Sequence, residues 1–332
     1  MNRRKIGAVC GTALLIAAAV AVVVGSRNRQ QPAPPPDVPV AQTPAEVRVK
    51  AVERNSVAAN VATAAPDASH AVAIICGADK ATVNRYEERN NALRSIARRR
   101  DLPEKDVAAL VAYLRSKDKA MRSERIAALK NDVMNLLRNQ EPPVEGLAET
   151  LIVMFEGRDN NSSTHNSPTH SHPPAVLDYC IQHLGAMQGE ITDDALRHRI
   201  CEIFIIAARQ TRQPYAGTAL YSLAENKQVS QSQKNELKRL TISLCKQGSH
   251  PVACVSAIQL AGERGYKEIL PILRETLSSR HRDAVLDIVS IGSLGLLGDE
   301  SDLELLSKFS SDTRRAVAVK AAIKRIKDRA SK

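Results

Sequence analysis

The sequence predicts an all-α protein, an α-α superhelix or solenoid of antiparallel helix pairs, after an N-terminal transmembrane or signal helix. The first indication is composition, because 43% of the 332 residues are hydrophobic while 3% are aromatic and none is Trp. Ala, Leu, Ile and Val supply the apolar content, which suits close helix-on-helix packing. The second is apolar spacing of three and four residues beyond residue 81. The third is self-similarity at a period of 33 residues near the C-terminus.

The first predicted element is an uncharged apolar run over residues 6–25 (IGAVCGTALLIAAAVAVVVG). At about 1.5 Å per residue a helix of this length spans roughly 30 Å, the thickness of the hydrocarbon core. Residues 1–5 are rich in Arg and Lys and form a cytoplasmic n-region. We therefore predict a transmembrane signal anchor over 6–25, with the main domain extracytoplasmic, in the periplasm or at the cell surface. Secretion after cleavage of a signal peptide is the alternative, because Ala19-Val20-Ala21 fits the small-x-small cleavage pattern.

Residues 26–80 are predicted to be a Pro/Ala-rich linker. The run over 31–36 (QPAPPP) favours polyproline II, and the Ala, Val, Asn and Ser residues that follow show no clear helical stripe. Such a segment is either a semi-rigid spacer or unstructured filler. Within it, residues 71–76 (AVAIIC) could be a short strand or an edge that packs on the solenoid.

From about residue 81 the apolar spacing predicts one helix after another, with short connections that favour antiparallel neighbours. A polar segment over 158–173, rich in turn-forming residues, is predicted to be an exposed loop. It separates an N-terminal helical region, 81–157, from helical repeats over 174–330. The predicted helices are 82–100, 103–116, 123–138, 142–155, 174–188, 192–210, 214–226, 230–247, 251–263, 266–279, 281–297, 300–309 and 313–329.

The 33-residue period relates two C-terminal units: Val252 recurs as Val285 and Gly265 as Gly298. The segments AIQLAGERG (257–265) and SLGLLGDE (293–300), each followed by a leucine-rich stretch, resemble the HEAT-like repeat named after phycobilisome lyases. The resemblance is clearest over 250–330 and implies an α-solenoid with a binding or scaffolding role.

Three residues of the second unit are expected to shape the repeat. Gly298 is expected to take the left-handed conformation that ends a helix, and Asp299 is expected to cap the next helix. Gly295 is expected to let neighbouring helices approach closely. The lyase activity of some relatives does not carry over, because none of their catalytic motifs is visible.

Five cysteines follow the apolar run: Cys76, Cys180, Cys201, Cys245 and Cys254. Cys180 and Cys201 lie almost symmetrically about one predicted turn, and Cys245 and Cys254 about another. Residues placed in this way face each other across a helix pair, and export would permit two disulfides that leave Cys76 unpaired. The alternative is that these cysteines are small apolar core residues.

Positive charge is concentrated over 80–138, which contain 15 Lys and Arg and 8 Asp and Glu; residues from 139 onward contain 24 and 23. The N-terminal cluster could contact anionic lipid or an envelope polymer, or form a solvated helix face. Nucleic acid is an unlikely partner, because aromatic residues that stack on bases are scarce. The possible contact patch consists of Arg94, Arg98, Arg99, Arg100, Arg115, Lys117 and Lys119.

Chemistry-bearing motifs are weak in this sequence. His165, His170 and His172 could ligate a metal, but a structural site normally needs four ligands on a fixed frame, so no metal site is predicted. No nucleophile elbow, phosphate loop, HExxH or paired CxxC motif occurs, so neither a catalytic residue nor a cofactor is predicted.

These observations predict a membrane-tethered extracytoplasmic α-solenoid that acts as a protein-binding scaffold or adaptor and is not an enzyme. The membrane contact is residues 6–25, and the partner is an unknown protein. Two alternatives stay open. One is an enzyme with a site on the concave face, phycobilin lyase-like at most. The other is an adaptor to anionic envelope lipid or polymer through residues 94–119.

Overall fold

The computed structural model describes residues 67–77, 86–116, 123–157, 172–246, 248–279 and 283–331. Regular structure in these residues consists of fourteen α-helices and two short 3-10 helices, without a strand. The helices are α1 Ala68–Cys76, α2 Tyr86–Ile96, α3 Glu104–Arg115, α4 Ser123–Arg138, α5 Leu147–Glu156, α6 Pro174–Met187, α7 Asp194–Arg209, α8 Tyr215–Glu225, α9 Gln231–Leu244, α10 Pro251–Arg264, α11 Leu270–Ser278, α12 Ala284–Leu297, α13 Leu303–Ser307 and α14 Ala316–Ala330.

The all-α prediction is confirmed, and each of the thirteen helices predicted beyond residue 81 corresponds to one of α2–α14. All described residues belong to one compact unit, Thr63–Lys332. The predicted apolar span, 6–25, lies outside the described residues. None of the helices that the structure describes is both long enough and apolar enough to cross a membrane.

The helices of this unit pack in two rows. Each odd-numbered helix packs against the even-numbered helix that follows it, from α1 on α2 to α13 on α14. The even-numbered helices also pack on one another in succession from α2 to α14, and we call them the second row. The odd-numbered helices, the first row, contact one another at most steps. The region before residue 157 therefore continues the same stack of helix pairs as the region after it.

Small residues hold the helices of the second row close together. A Cβ atom added to Gly262 of α10 would lie 2.7 Å from the Oγ of Ser293 on α12, and one on Gly295 of α12 would lie 2.6 Å from the Cα of Ala322 on α14. Since side-chain atoms do not approach so closely, these crossings need glycine, and the close approach predicted at Gly295 is confirmed. The same kind of contact joins α6 to α8 through Gly185 and Ser222 and α8 to α10 through Gly217 and Ser256.

The two glycines that end repeat units have different roles. Gly265 takes the left-handed conformation at the end of α10, with φ 74°. Gly298 does not: its φ is −75° and its ψ 178°, so the predicted left-handed end of α12 is wrong. Glycine is needed there for space, because a Cβ atom would lie 2.7 Å from the carbonyl oxygen of Leu294. Asp299 caps the following 3-10 helix by accepting a hydrogen bond from the Ser301 amide, as expected.

The linker predicted for 26–80 is wrong at its C-terminal end, because residues 68–76 form α1. Asp67 caps this helix by accepting from the Ser69 amide at 3.0 Å, and Gly77 ends it with φ 67°. Val72 and Ile75 are buried, and α1 packs on α2 and α3. The apolar side chains therefore have helical spacing, and the short strand considered for 71–76 is not formed.

Candidate functional site

The second row has an open side. On α12, Ser293 faces α10 and Gly295 faces α14, while α11 covers a third side. The remaining side carries residues spaced by three or four positions, and a Cβ atom added to Gly292 there would meet nothing within 4 Å. We call this side of α8, α10, α12 and α14 the open face. It consists of Thr218, Tyr221, Glu225, Val252, Val255, Gln259, Glu263, Val285, Ile288, Gly292, Leu296, Val317, Ala321 and Arg325.

Apolar side chains are exposed on this face more than elsewhere. The described residues contain five large apolar side chains that are exposed, and four belong to the open face: Val252 at 52%, Ile288 at 37%, Leu296 at 41% and Val317 at 81%. The fifth is Ile206 in the first row, at 46%. Single exposed apolar residues are ordinary, whereas a group on one face is typical of an interaction surface.

The open face is acidic where it reaches α8 and α10. The pKa of Tyr221 on α8 is raised by burial and, next, by the negative charges of Glu263 and Glu225. Both glutamates are exposed. The Tyr221 hydroxyl oxygen is buried and has no hydrogen-bond partner among the described residues. Arg264, the next residue of α10, donates to the carbonyl oxygen of Ala224 at 2.6 Å and so caps α8.

The opposite edge, on α14, is basic. This helix contains five Lys and Arg residues and one Asp. Arg329 is used internally, since its guanidinium donates to the carbonyl oxygens of Gly295 at 2.9 Å and Gly298 at 2.5 Å. Lys320, Lys324 and Arg325 are exposed and form no ion pair with the residues described. A shallow pocket of about 450 Å³ lies between α14 and the loop 298–301.

The described residues of the basic patch predicted in the N-terminal region lie on α2 and at both ends of α3. Arg98–Arg100 precede α3 and Arg115 ends it, and the 12 residues of that helix separate them by about 18 Å. Arg99 pairs with Asp101 and Arg100 with Glu141, at 3.4 and 2.7 Å. Arg94 acts on the pKa of Asp132, which burial raises and the arginine lowers. Lys117 and Lys119 lie outside the described residues.

Two further cations of this region are buried, which the sequence pattern did not distinguish from surface charge. The Arg89 Nε donates to the carbonyl oxygen of Ile75 at 2.7 Å, and the Lys130 Nζ donates to those of Leu114 and Ser116 at 2.7 and 2.6 Å. Each therefore caps the helix that precedes its own. Both also lie over the ring of Tyr113, at 4.9 and 5.6 Å from its centroid. Part of the positive excess is consequently structural.

The five cysteines that the structure describes are free thiols. The argument that paired Cys180 with Cys201 is wrong, because α6 packs with α5 and α7 with α8, so the two residues do not face each other across one helix pair. The Cys201 sulfur instead accepts from Asn226 Nδ2 at 3.0 Å. Cys254 does face the end of its pair partner, and its Sγ lies 3.7 Å from the carbonyl oxygen of Cys245. A bond between Cys245 and Cys254 on oxidation stays a prediction.

Of the three histidines in the predicted loop, the structure describes His172. His165 and His170 lie outside the described residues, and His172 is not exposed as the prediction of a loop over 158–173 required. Its side chain is buried, with Nδ1 3.5 Å from the Lys130 Nζ. No group of three His, Cys, Asp or Glu residues suited to a metal occurs in the part of the chain that is described.

His183, a buried histidine of the second row, has a strongly lowered pKa. It lies between α6 and α4, with Nε2 3.2 Å from Asn131 Oδ1 and Nδ1 3.5 Å from Arg138 Nη1. Burial and then the positive charge of Arg138 lower its pKa from 6.5 to about 4. His183 is therefore neutral at pH 7, and its burial makes it a packing residue of the stack.

Comparison with known proteins adds no relative. No protein-family model matches the chain, and neither curated proteins nor solved structures match it. The resemblance to HEAT-like repeats thus stays a prediction that rests on residues 250–330.

Proposed function

We propose that this protein is a membrane-tethered extracytoplasmic scaffold, a solenoid of HEAT-like helix pairs that binds a protein partner across the open face. The observation that carries the proposal is the grouping of Val252, Ile288, Leu296 and Val317 on one side of three neighbouring helices. Burying one such side chain completely is worth about 1.5–3 kcal/mol, so a partner that covers all four would gain substantially. The scaffold needs neither a cofactor nor a catalytic residue.

The tether and the location rest on the sequence. Residues 6–25 carry no charge and follow Arg3, Arg4 and Lys5, which favours an anchor with the folded unit across the membrane. Fusing reporter enzymes that are active on only one side of the membrane after residue 66 tests this topology. Activity of the cytoplasmic reporter alone would contradict the extracytoplasmic location.

Site-specific photo-crosslinking in the native envelope tests the binding surface. A photoreactive amino acid placed at Ile288 or Val317 should give a discrete adduct with another protein, because both side chains are exposed on the open face. Lys234 on α9 of the first row is the matched exposed control and should give no such adduct. Equal crosslinking from all three positions, or none from Ile288 and Val317, would contradict the proposal.

The two alternatives have weaker support. An adaptor to anionic lipid or polymer through 94–119 would have to use arginines at opposite ends of α3, two of which already pair with Asp101 and Glu141. Weaker, salt-sensitive retention of the chain from Thr63 onward on anionic vesicles after reversal of Arg94 and Arg98 would favour it. An enzyme on the same fold would need a group of reactive side chains on the open face, where Tyr221, Glu225 and Glu263 are the titratable side chains of α8 and α10.

A further inference from the structure

We propose that the segment of the partner that lies on the open face is an apolar stretch continuing into acidic residues. Its apolar side chains cover α12 and its carboxylates lie on α14. The inference rests on the proposed function and names the chemistry of the partner that the same face would accept. It follows from three neighbouring zones: an acidic zone and an apolar zone on the open face, and a basic zone along its edge on α14.

The apolar zone is centred on α12. Ile288 and Leu296 are exposed there, and Gly292 between them leaves open space above the backbone. Val252 on one side and Val317 on the other extend the zone onto α10 and α14. The glycine gives a shallow recess between two apolar side chains, which suits insertion of an apolar side chain from a partner.

The basic zone provides the charge complementarity. Lys320, Lys324 and Arg325 are exposed on α14, next to Val317, and form no ion pair with described residues. Val317, which is 81% exposed, lies beside these cations on the same helix. This protein therefore presents neighbouring apolar and cationic side chains on α14. A partner segment with neighbouring apolar and anionic side chains would be complementary to them.

The acidic zone fixes the direction of the segment. Glu225 and Glu263 are exposed on α8 and α10, on the other flank of α12. Carboxylates of a partner placed there would be repelled, so the acidic end of the segment has to point away from α10 and toward α14. The same argument disfavours a basic segment on α14.

Selection from a random dodecapeptide display library on the immobilised full-length chain tests the inference. We expect the selected peptides to combine apolar residues with Asp or Glu. Binding of synthetic copies should weaken about tenfold in the double variant Lys324→Glu/Arg325→Glu, because attraction becomes repulsion, and it should fall as salt rises. The variant Lys234→Glu, an equal charge change at an exposed lysine of α9, should bind as the unchanged protein does.

A second pair of variants separates this inference from the proposed function. Ile288→Glu and Val317→Glu place a charge in the apolar zone and should abolish binding; circular dichroism confirms that each variant is folded. If the selected peptides depend on Ile288 but are basic, or are indifferent to the α14 reversal, the scaffold stands and the acidic partner is overturned. If no selected peptide depends on Ile288 or Val317, the open face is not a binding surface, and both proposals fall.

Discussion

At the scale of single residues, the fate of charged and polar groups was the least predictable part of this molecule. Arg89 and Lys130 have the same residue types as the surface charges around them, yet they are 1% and 0% exposed. They are buried because carbonyl groups at the ends of α1 and α3 accept their hydrogen bonds. A sequence shows a positive charge but not the distant backbone acceptors that allow its burial.

His183 predicts a pH dependence of stability. Its pKa is about 4 in the folded state and near 6.5 when unfolded, so the unfolded chain binds a proton between these values and the folded chain does not. The free energy of unfolding is therefore unaffected by this histidine above pH 6.5. It falls progressively as the pH drops to about 4, by on the order of 3 kcal/mol. Comparing urea unfolding of the protein with that of His183→Gln between pH 7.5 and 4.5 isolates the effect. Identical pH profiles would show that His183 does not carry it.

Two glycines of α12 give a matched pair of opposite predictions. At Gly295→Ala the new methyl group meets the backbone of Ala322, so we expect a loss of about 1–3 kcal/mol in the free energy of unfolding. At Gly292→Ala the methyl group meets nothing within 4 Å, and better helix propensity should add up to about 1 kcal/mol. Thermal unfolding of both variants checks the signs; a loss at both positions would contradict the open side of α12.

At the scale of helices, the positions of the helices in the sequence were predictable, whereas the way in which they pair with one another was not. Apolar spacing located all thirteen helices beyond residue 81, because it reports local burial. It failed for α1, because this helix is short and alanine-rich and lies within the region 26–80 that was predicted to be a linker. It also misassigned Cys180 and Cys201, because a turn between two helices does not establish that they form a pair. Here α6 completes the pair begun by α5, and α7 begins the next.

At the scale of the whole molecule, stacking makes stability a matter of neighbours. The compact unit Thr63–Lys332 holds all seven described helix pairs, and each contacts the next through the second row. The period of 33 residues in sequence corresponds to this repetition, since Gly262 and Gly295 occupy equivalent crossings. The open face was not predictable from the 33-residue period, because the exposure of a residue depends on which sides of its helix are covered by the neighbouring helices.

We expect the unit Thr63–Lys332 to fold without the residues that precede it. A chain that begins at Thr63 should unfold in one thermal transition, within about 2 °C of the full-length protein, because all the described helices and their contacts lie in the unit Thr63–Lys332. Differential scanning calorimetry of the two proteins is the measurement. A much lower transition temperature for the shorter chain would show that the first 62 residues contribute to folding.

The glycine contacts of the second row also set a length scale. Helices that meet backbone to side chain through glycine lie near the lower end of interaxial spacings, about 8 Å. A ligand that lies across α10, α12 and α14 would therefore cross one helix about every 8 Å. An extended chain advances about 3.3 Å per residue, so its matching side chains would be two to three residues apart. The small residues that set the distance between these helices would in this way also set the spacing of the contact residues in the partner's sequence.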